Sequence, residues 1–220
     1  MSVYTKTGWL DRTAGLALSL GVCVATGLFA TAAGADGDPA AGESMSATCA
    51  ACHGNDGNSP DPQWPNLAGQ HERYIAKQLA AFQEGEEGSR NNAIMLGIAA
   101  GLSKQDMADL GAFYATQAQR PGFAEGTAEL IARGERLYRG GDSTTDTPAC
   151  QACHGPDGLG DPLAGFPRLA GQHAVYVATQ LMAFRAEERT NDPAGMMRAS
   201  VDRLSDEDIE ALAQYIAGLY

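Results

Sequence analysis

Two stretches of the chain carry the same helical spacing of apolar residues. Ile75, Gln78, Leu79 and Phe82 fall at i, i+3, i+4 and i+7, and Val177, Gln180, Leu181 and Phe184 repeat the pattern. Residues so spaced share one face of a 3.6-residue turn, which predicts an amphipathic helix at each place. Further along, Ser103 with Asp106 and Ser205 with Asp208 have the spacing of N-terminal capping pairs. They would open two more helices, with apolar positions Met107, Leu110, Phe113 and Tyr114 in one and Ile209, Leu212, Tyr215 and Ile216 in the other. Shorter helices are predicted around residues 40–47 and 128–138. No stretch alternates convincingly between apolar and polar positions, so the expected fold class is all-α.

A different kind of apolar run, from Ala14 to Ala33, stands near the N-terminus. Lys6 and Arg12 precede it, and the small residues Ala33-Gly34-Ala35 lead out of it into Asp36-Gly37-Asp38. That layout predicts a secretory signal over residues 1–35 with cleavage at its end. An uncleaved anchor is the competing reading, because the run approaches the roughly 20 residues that span a bilayer. Its many Ala, Gly, Ser and Thr residues and the cleavage site favour removal. Cys23 lies inside the run, which argues against a lipid anchor there.

The helical pattern recurs because the sequence recurs. Trp64-Pro65-Asn66-Leu67-Ala68-Gly69-Gln70-His71 matches Phe166-Pro167-Arg168-Leu169-Ala170-Gly171-Gln172-His173 at an offset of 102 residues. The offset also pairs Tyr74 with Tyr176, Gln78 with Gln180, Leu79 with Leu181 and Phe82 with Phe184. It returns for Leu102-Ser103 with Leu204-Ser205 and for Leu110 with Leu212. Two tandem units follow, residues 36–120 and 121–220, joined at the Pro-Gly break in Gln119-Arg120-Pro121-Gly122.

Each unit holds one Cys-x-x-Cys-His-Gly motif near its start, Cys49 to Gly54 and Cys150 to Gly155. Alone, such a motif could arise by chance or belong to a zinc site. Its duplication within a duplicated segment points to the attachment of c-type haem. Each cysteine thiol would add across a porphyrin vinyl group, setting the next residue, His53 or His154, beneath the iron. The second ring nitrogen of each histidine then needs a fixed acceptor, and the backbone carbonyls of Pro65 and Pro167 are the candidates.

For the opposite axial position the repeat offers Met95 and Met197, each on a predicted loop ahead of the last helix. His71 and His173 are better read as helix starts or propionate contacts, because they open the middle helices close to the haem histidines. Met196 adjoins Met197. Counting back from Leu204-Ser205 pairs Met197 with Met95 and Met196 with Ile94, which assigns Met197 to iron and Met196 to apolar packing. Counting forward from Asn91-Asn92 and Asn191-Asp192 gives a shift of two residues, so the register is less firm from that side. Three short helices per unit enclose little core, so the two covalent haems would be structural as well as functional.

Charge and cysteine use narrow the setting. The formal net charge is −12, and removing residues 1–35 with Lys6, Arg12 and Asp11 leaves about −13. That argues against nucleic acid and anionic membrane surfaces as partners. It either maintains solubility or steers the protein to a basic surface on a redox partner. Of five cysteines, Cys23 leaves with the signal and four belong to the motifs, so none remains for a structural disulfide. Export combined with haem attachment fits a bacterial periplasm, the expected location.

From about residue 38 to the end the chain resembles the dihaem cytochrome c4 family, two class I cytochrome c domains in tandem. The resemblance rests on both Cys-x-x-Cys-His motifs, both [Trp/Phe]-Pro-x-Leu-Ala-Gly-Gln segments and the methionine-bearing loops. It implies two haem domains packed face to face and respiratory electron delivery to a terminal oxidase, sometimes in association with the membrane. It also implies that Tyr74 and Tyr176 sit near the haem propionates. Nine extra residues between Gly134 and Cys150, relative to Gly42 and Cys49, depart from the first unit beside the second haem. The expected role is an electron carrier between a donor and an acceptor redox protein, not an enzyme, because His/Met ligation saturates iron. Two alternatives stand beside it. One is the haem subunit of a larger dehydrogenase of flavocytochrome type, and the other is a dihaem peroxidase. Protein matured with c-type haem machinery is expected to carry two covalent haems per chain in an alkaline pyridine assay. Replacing Cys150 and Cys153 with Ala should remove one of them and unfold the second unit first.

Overall fold

The computed structural model describes residues 37–219. The expected signal segment, residues 1–35, lies outside the described residues. Ten α-helices and one 3-10 turn make up the described part, with three isolated bridges and no strand. The first repeat runs α1 (Pro39–Met45), α2 (Ala47–His53), α3 (Glu72–Gln83), α4 (Ala93–Ala99) and α5 (Lys104–Thr116). The second runs α6 (Ala128–Gly140), α7 (Gln151–His154), α8 (Ala174–Arg185), a 3-10 turn (Pro193–Gly195), α9 (Met196–Val201) and α10 (Asp206–Ala217). No described helix is long and apolar enough to cross a membrane.

Local chemistry explains where these helices begin. The Ser103 hydroxyl accepts from the Asp106 backbone N–H while the Asp106 carboxylate accepts from the Ser103 N–H, and Ser205 with Asp208 does the same. Each pair satisfies two N–H groups that a helix start otherwise leaves open. The apolar faces are buried as their spacing predicts. Ile75, Gln78, Leu79 and Phe82 are buried in α3; Met107, Leu110, Phe113 and Tyr114 in α5; Ile209, Leu212, Tyr215 and Ile216 in α10. In α8, Val177 and Phe184 are buried and Leu181 only partly so.

Within each repeat the first helix crosses the last. A glycine permits the approach: a Cβ at Gly42 would lie 2.0 Å from the Asp109 carbonyl oxygen, and one at Gly134 2.0 Å from that of Ala211. Each repeat then closes its own apolar cluster, around Leu79, Met107 and Leu110 in one and Val177, Ile209 and Leu212 in the other.

The two repeats pack into one unit through reciprocal amide pairing. The Asn66 N–H donates to Gln172 Oε1 at 2.8 Å, and Gln172 Nε2 donates back to the Asn66 carbonyl at 2.9 Å. The repeat-equivalent pair mirrors it, with Arg168 N–H to Gln70 Oε1 at 3.0 Å and Gln70 Nε2 to the Arg168 carbonyl at 2.9 Å. Each glutamine side chain acts as a one-residue strand, occupying both backbone groups of the opposite repeat. The linker is bound to this arrangement: Asn58 accepts from the Arg120 N–H and donates to the Ala118 carbonyl, and Arg168 donates to Gln119.

Two expectations change. Met95 and Met197 lie on the short helices α4 and α9, not on loops. The Asn92 side chain caps α4 by accepting from the Met95 N–H, a signal too short for periodicity to register. Each repeat has more than three helices, since the haem-motif helices α2 and α7 are separate from α1 and α6. The extra residues after α6 form a turn closed by the Asp142–Thr147 bridge. The Gly134→Ala variant, with its methyl directed at the Ala211 carbonyl, is expected to lose about 1–3 kcal/mol of stability, read as a lower denaturant midpoint.

Candidate functional site

Both haem motifs end their helices on the histidine. Gly54 and Gly155 follow with φ of +78°, a conformation side-chain-bearing residues rarely adopt, so the chain turns away immediately after His53 and His154. Both histidines are buried. His53 Nδ1 lies 2.9 Å from the Pro65 carbonyl and His154 Nδ1 lies 3.0 Å from the Pro167 carbonyl. A carbonyl only accepts, so in each pair Nδ1 carries the proton and Nε2 is left with a free lone pair. Burial pushes both imidazoles below their ordinary pKa, against a smaller upward pull from the proline carbonyls. Neutral imidazole with a bare Nε2 is the ligand form.

Cys49, Cys52 and Cys150 are half-buried and Cys153 is exposed. Burial pushes the Cys150 thiol up to about 11, so this site disfavours a thiolate. A thioether bears no charge and suits the apolar wall.

One cavity of about 590 Å³ runs past both motifs. Its walls include His53, His154, Met95 and Met197, and they also carry Tyr74 and Tyr176. Met95 packs beside the buried cluster of the first repeat and Met197 beside that of the second. The residues preceding them, Ile94 and Met196, are 54% and 43% exposed. The structure therefore puts Met196 in register with Ile94, as counted, yet leaves it more open than apolar packing would require.

His71 and His173 stand just ahead of α3 and α8, at the helix starts. Each ring faces the other repeat. His173 Nε2 meets the Ser59 carbonyl at 3.1 Å, whereas His71 Nε2 is buried without a partner in hydrogen-bond geometry and faces the Leu159 carbonyl. Neither histidine lines the cavity.

Two residues absent from the sequence reading sit at the centre of the site. Arg90 and Arg189 are buried and line the same cavity. Arg90 donates to Tyr176 Oη at 2.6 Å, and Arg189 donates to Tyr74 Oη at 3.0 Å, each crossing to the opposite repeat. Burial pushes the Tyr74 hydroxyl up, but Arg189 and Arg90 beside it outweigh this and hold its pKa below the ordinary value. Gln78 and Gln180 accept from both guanidiniums. The pair escapes a fixed offset because Arg90 and Arg189 are 99 residues apart, not 102; the shared run Arg-x-Asn, Arg90 to Asn92 and Arg189 to Asn191, was the available signal.

A buried histidine pair fixed as neutral ligands, cysteines at vinyl spacing and a methionine in each half of the cavity fit haem c. A family model described as Cytochrome c matches residues 39–117 and again 131–219. The chain belongs to the cytochrome c family. Cytochrome c4 of Pseudomonas aeruginosa is 47% identical over 206 residues, covering 93% of this chain and 96% of that protein. The crystal structure of reduced recombinant cytochrome c4 from Pseudomonas stutzeri superposes with a TM-score of 0.80 at 46% identity, covering 84% of this chain and all of that one. A thiosulfate dehydrogenase electron acceptor of Thiomonas intermedia is 38% identical over 81% of each chain. These matches place the chain in the cytochrome c4 family, tandem electron-carrying c-type cytochromes with covalent haem c. For this cytochrome, the Nδ1 bond makes the His154 ring orientation depend on the loop carrying Pro167. Replacing Phe166, whose ring centroid lies 6.1 Å from that of His154, with Ala should loosen the loop and lower the second haem's potential, with haem content unchanged.

Proposed function

We propose that His53 and Met95 are the axial ligands of one haem iron and His154 and Met197 those of the other, with covalent attachment through Cys49 and Cys52 and through Cys150 and Cys153. The observation that carries this reading is the single cavity bordered by His53, His154, Met95 and Met197, with Met196 also in its wall. Bound haem supplies a one-electron iron couple, and His/Met ligation raises its potential. The chain's own groups hold the imidazoles neutral through Pro65 and Pro167, and Met95 and Met197 would each offer a thioether to one iron. Tyr74 and Tyr176 accept from the arginines and retain their O–H groups for a propionate. Residues 36–120 and 121–220 would each form one haem domain.

In this reading the protein is exported, loses residues 1–35, and works in the periplasm. It takes electrons from a donor redox protein and delivers them to a membrane oxidase, with transient contact at the membrane surface. Support comes from the cytochrome c4 relatives and from the net charge of −12, which favours a basic docking surface. A second reading, supported by the Thiomonas relative, makes a sulfur-oxidising dehydrogenase the donor and this protein its acceptor. The two meet in one experiment. Reduced protein should be oxidised by oxidase-containing membranes at a rate that falls as salt rises, because screening shortens the reach of surface charge to about 8–10 Å near 0.1–0.15 M. Reduction by thiosulfate with a purified dehydrogenase, without oxidation by such membranes, would favour the second reading. Peroxide turnover well above that of free haem would overturn both.

The ligand assignment has its own test. Met197→Ala should remove half of the sulfur-to-iron band at the red end of the oxidised spectrum and lower the second haem's potential. Met196→Leu should leave both nearly unchanged. The reverse pattern would show that the 43%-exposed neighbour is the ligand.

A further inference from the structure

Two buried side-chain polar atoms have no hydrogen-bond partner among the described residues, His71 Nε2 and Tyr114 Oη. Only the tyrosine borders the haem cavity. It is 1% exposed and tightly held. Its backbone carbonyl accepts from the Gly69 N–H at 2.9 Å, and its ring centroid lies 5.0 Å from that of Phe113. On another side a Cβ at Gly57 would come within 2.8 Å of the ring. A phenol so confined cannot turn its hydroxyl toward water, and an unpaired buried hydroxyl is unfavourable.

The polar neighbour of that hydroxyl is Cys49. Burial pushes the Cys49 thiol up in pKa and the Tyr114 hydroxyl pulls it part of the way back. Burial, and then the Cys49 sulfur, push the Tyr114 hydroxyl well above the ordinary tyrosine range, so it keeps its proton. A free thiol competes with the phenol, because each carries a hydrogen. Once Cys49 is joined to a vinyl carbon its sulfur has no proton and can only accept, which leaves the hydroxyl as the donor of the pair.

The second repeat lacks this contact. At the 102 offset Tyr114 corresponds to Ile216, which is buried and borders the cavity in its place. That repeat has a buried tyrosine of its own, Tyr138, but it stands on α6 and its hydroxyl donates to the Gly155 carbonyl at 2.7 Å. Burial pushes the Cys150 thiol up with no side-chain hydroxyl opposing it.

We infer that Tyr114 Oη donates to the Cys49 thioether sulfur and thereby raises the reduction potential of the first haem, carried by Cys49 and Cys52, but not that of the second. The inference rests on the two-haem reading above. A thioether sulfur sits one saturated carbon from the porphyrin ring. The positive end of an O–H dipole aimed at it draws electron density outward and favours the ferrous form, as second-shell hydrogen bonds to a metal centre do elsewhere. Ile216 offers no dipole, so the duplicated site is electronically unequal at this position.

The test uses the haem-loaded full chain and Tyr114→Phe, which deletes the oxygen alone. Haem per chain is read first by the alkaline pyridine assay, and a value of one in the unaltered protein would sink the two-haem reading instead. Spectroelectrochemical titration of the variant should show one of the two reduction equilibria shifted about threefold toward the ferric form, about 28 mV for one electron, with the other unmoved. The sulfur-to-iron band should keep its full height, because axial ligation is untouched. Titrating the band that remains in a Met197→Ala background, which reports the first haem, should show the same shift. A full band in that background would fail the ligand assignment and leave the one-of-two result standing. No shift in Tyr114→Phe, an upward shift, an equal shift of both haems, or a shift confined to the second haem would overturn the inference. Should the Phe variant fail to mature, Tyr114→Ile installs the residue that the second repeat uses, and an unchanged first potential there would overturn it as well.

Discussion

The reciprocal capture of backbone by Gln70 and Gln172 is the constraint on which the haem cavity depends. Each carboxamide fills the N–H and C=O of one residue across the boundary, Arg168 in one case and Asn66 in the other. Both backbone groups are thereby satisfied where water is excluded, and each such buried pair left open would cost about 1–3 kcal/mol per group. Because Asn66 and Arg168 adjoin Pro65 and Pro167, the bonds that join the repeats also hold the carbonyls that orient His53 and His154. Interface and ligand geometry are therefore one mechanical unit.

This arrangement makes the repeats interdependent. The helices of each repeat enclose a modest apolar cluster, and the cavity between them opens onto both. A porphyrin in each half would supply the apolar bulk that the chain does not, while the polar centre of the cavity is built from one contribution of each repeat. The Arg90–Tyr176 and Arg189–Tyr74 crossings are the clearest instance. The repeats differ where the centre is not involved: the Asp142–Thr147 turn extends only the second, and Tyr138 donates to the Gly155 carbonyl there while Tyr114 approaches Cys49 in the first.

Much of this was legible without coordinates. The haem motifs, the proline carbonyls as histidine partners, both capping boxes and the buried faces of α3, α5 and α10 follow from spacing along the chain. The repeat offset also puts Met197, not Met196, in register with Met95; Met197 packs beside the second cluster, and both neighbours border the cavity. Less legible were the short helices carrying those methionines. Six or seven residues give too few turns for a periodic signal, and α4 is announced only by the Asn92 cap.

The sequence by itself determined what is local: covalent haem spacing, helix starts, and helix faces set by a 3.6-residue period. Duplication extended that reading to two copies. Only the tertiary structure decided what each copy does for the other. Gln70 and Gln172 were visible as repeated residues, but nothing along the chain says that a glutamine should pair with backbone about a hundred residues away. Arg90 and Arg189 were hidden further, because the loops before them differ in length by three residues and break the common offset. Their meeting depends on two loops arriving at the same point in space, and loop length constrains where a chain ends up far less than helix periodicity constrains which way a side chain faces.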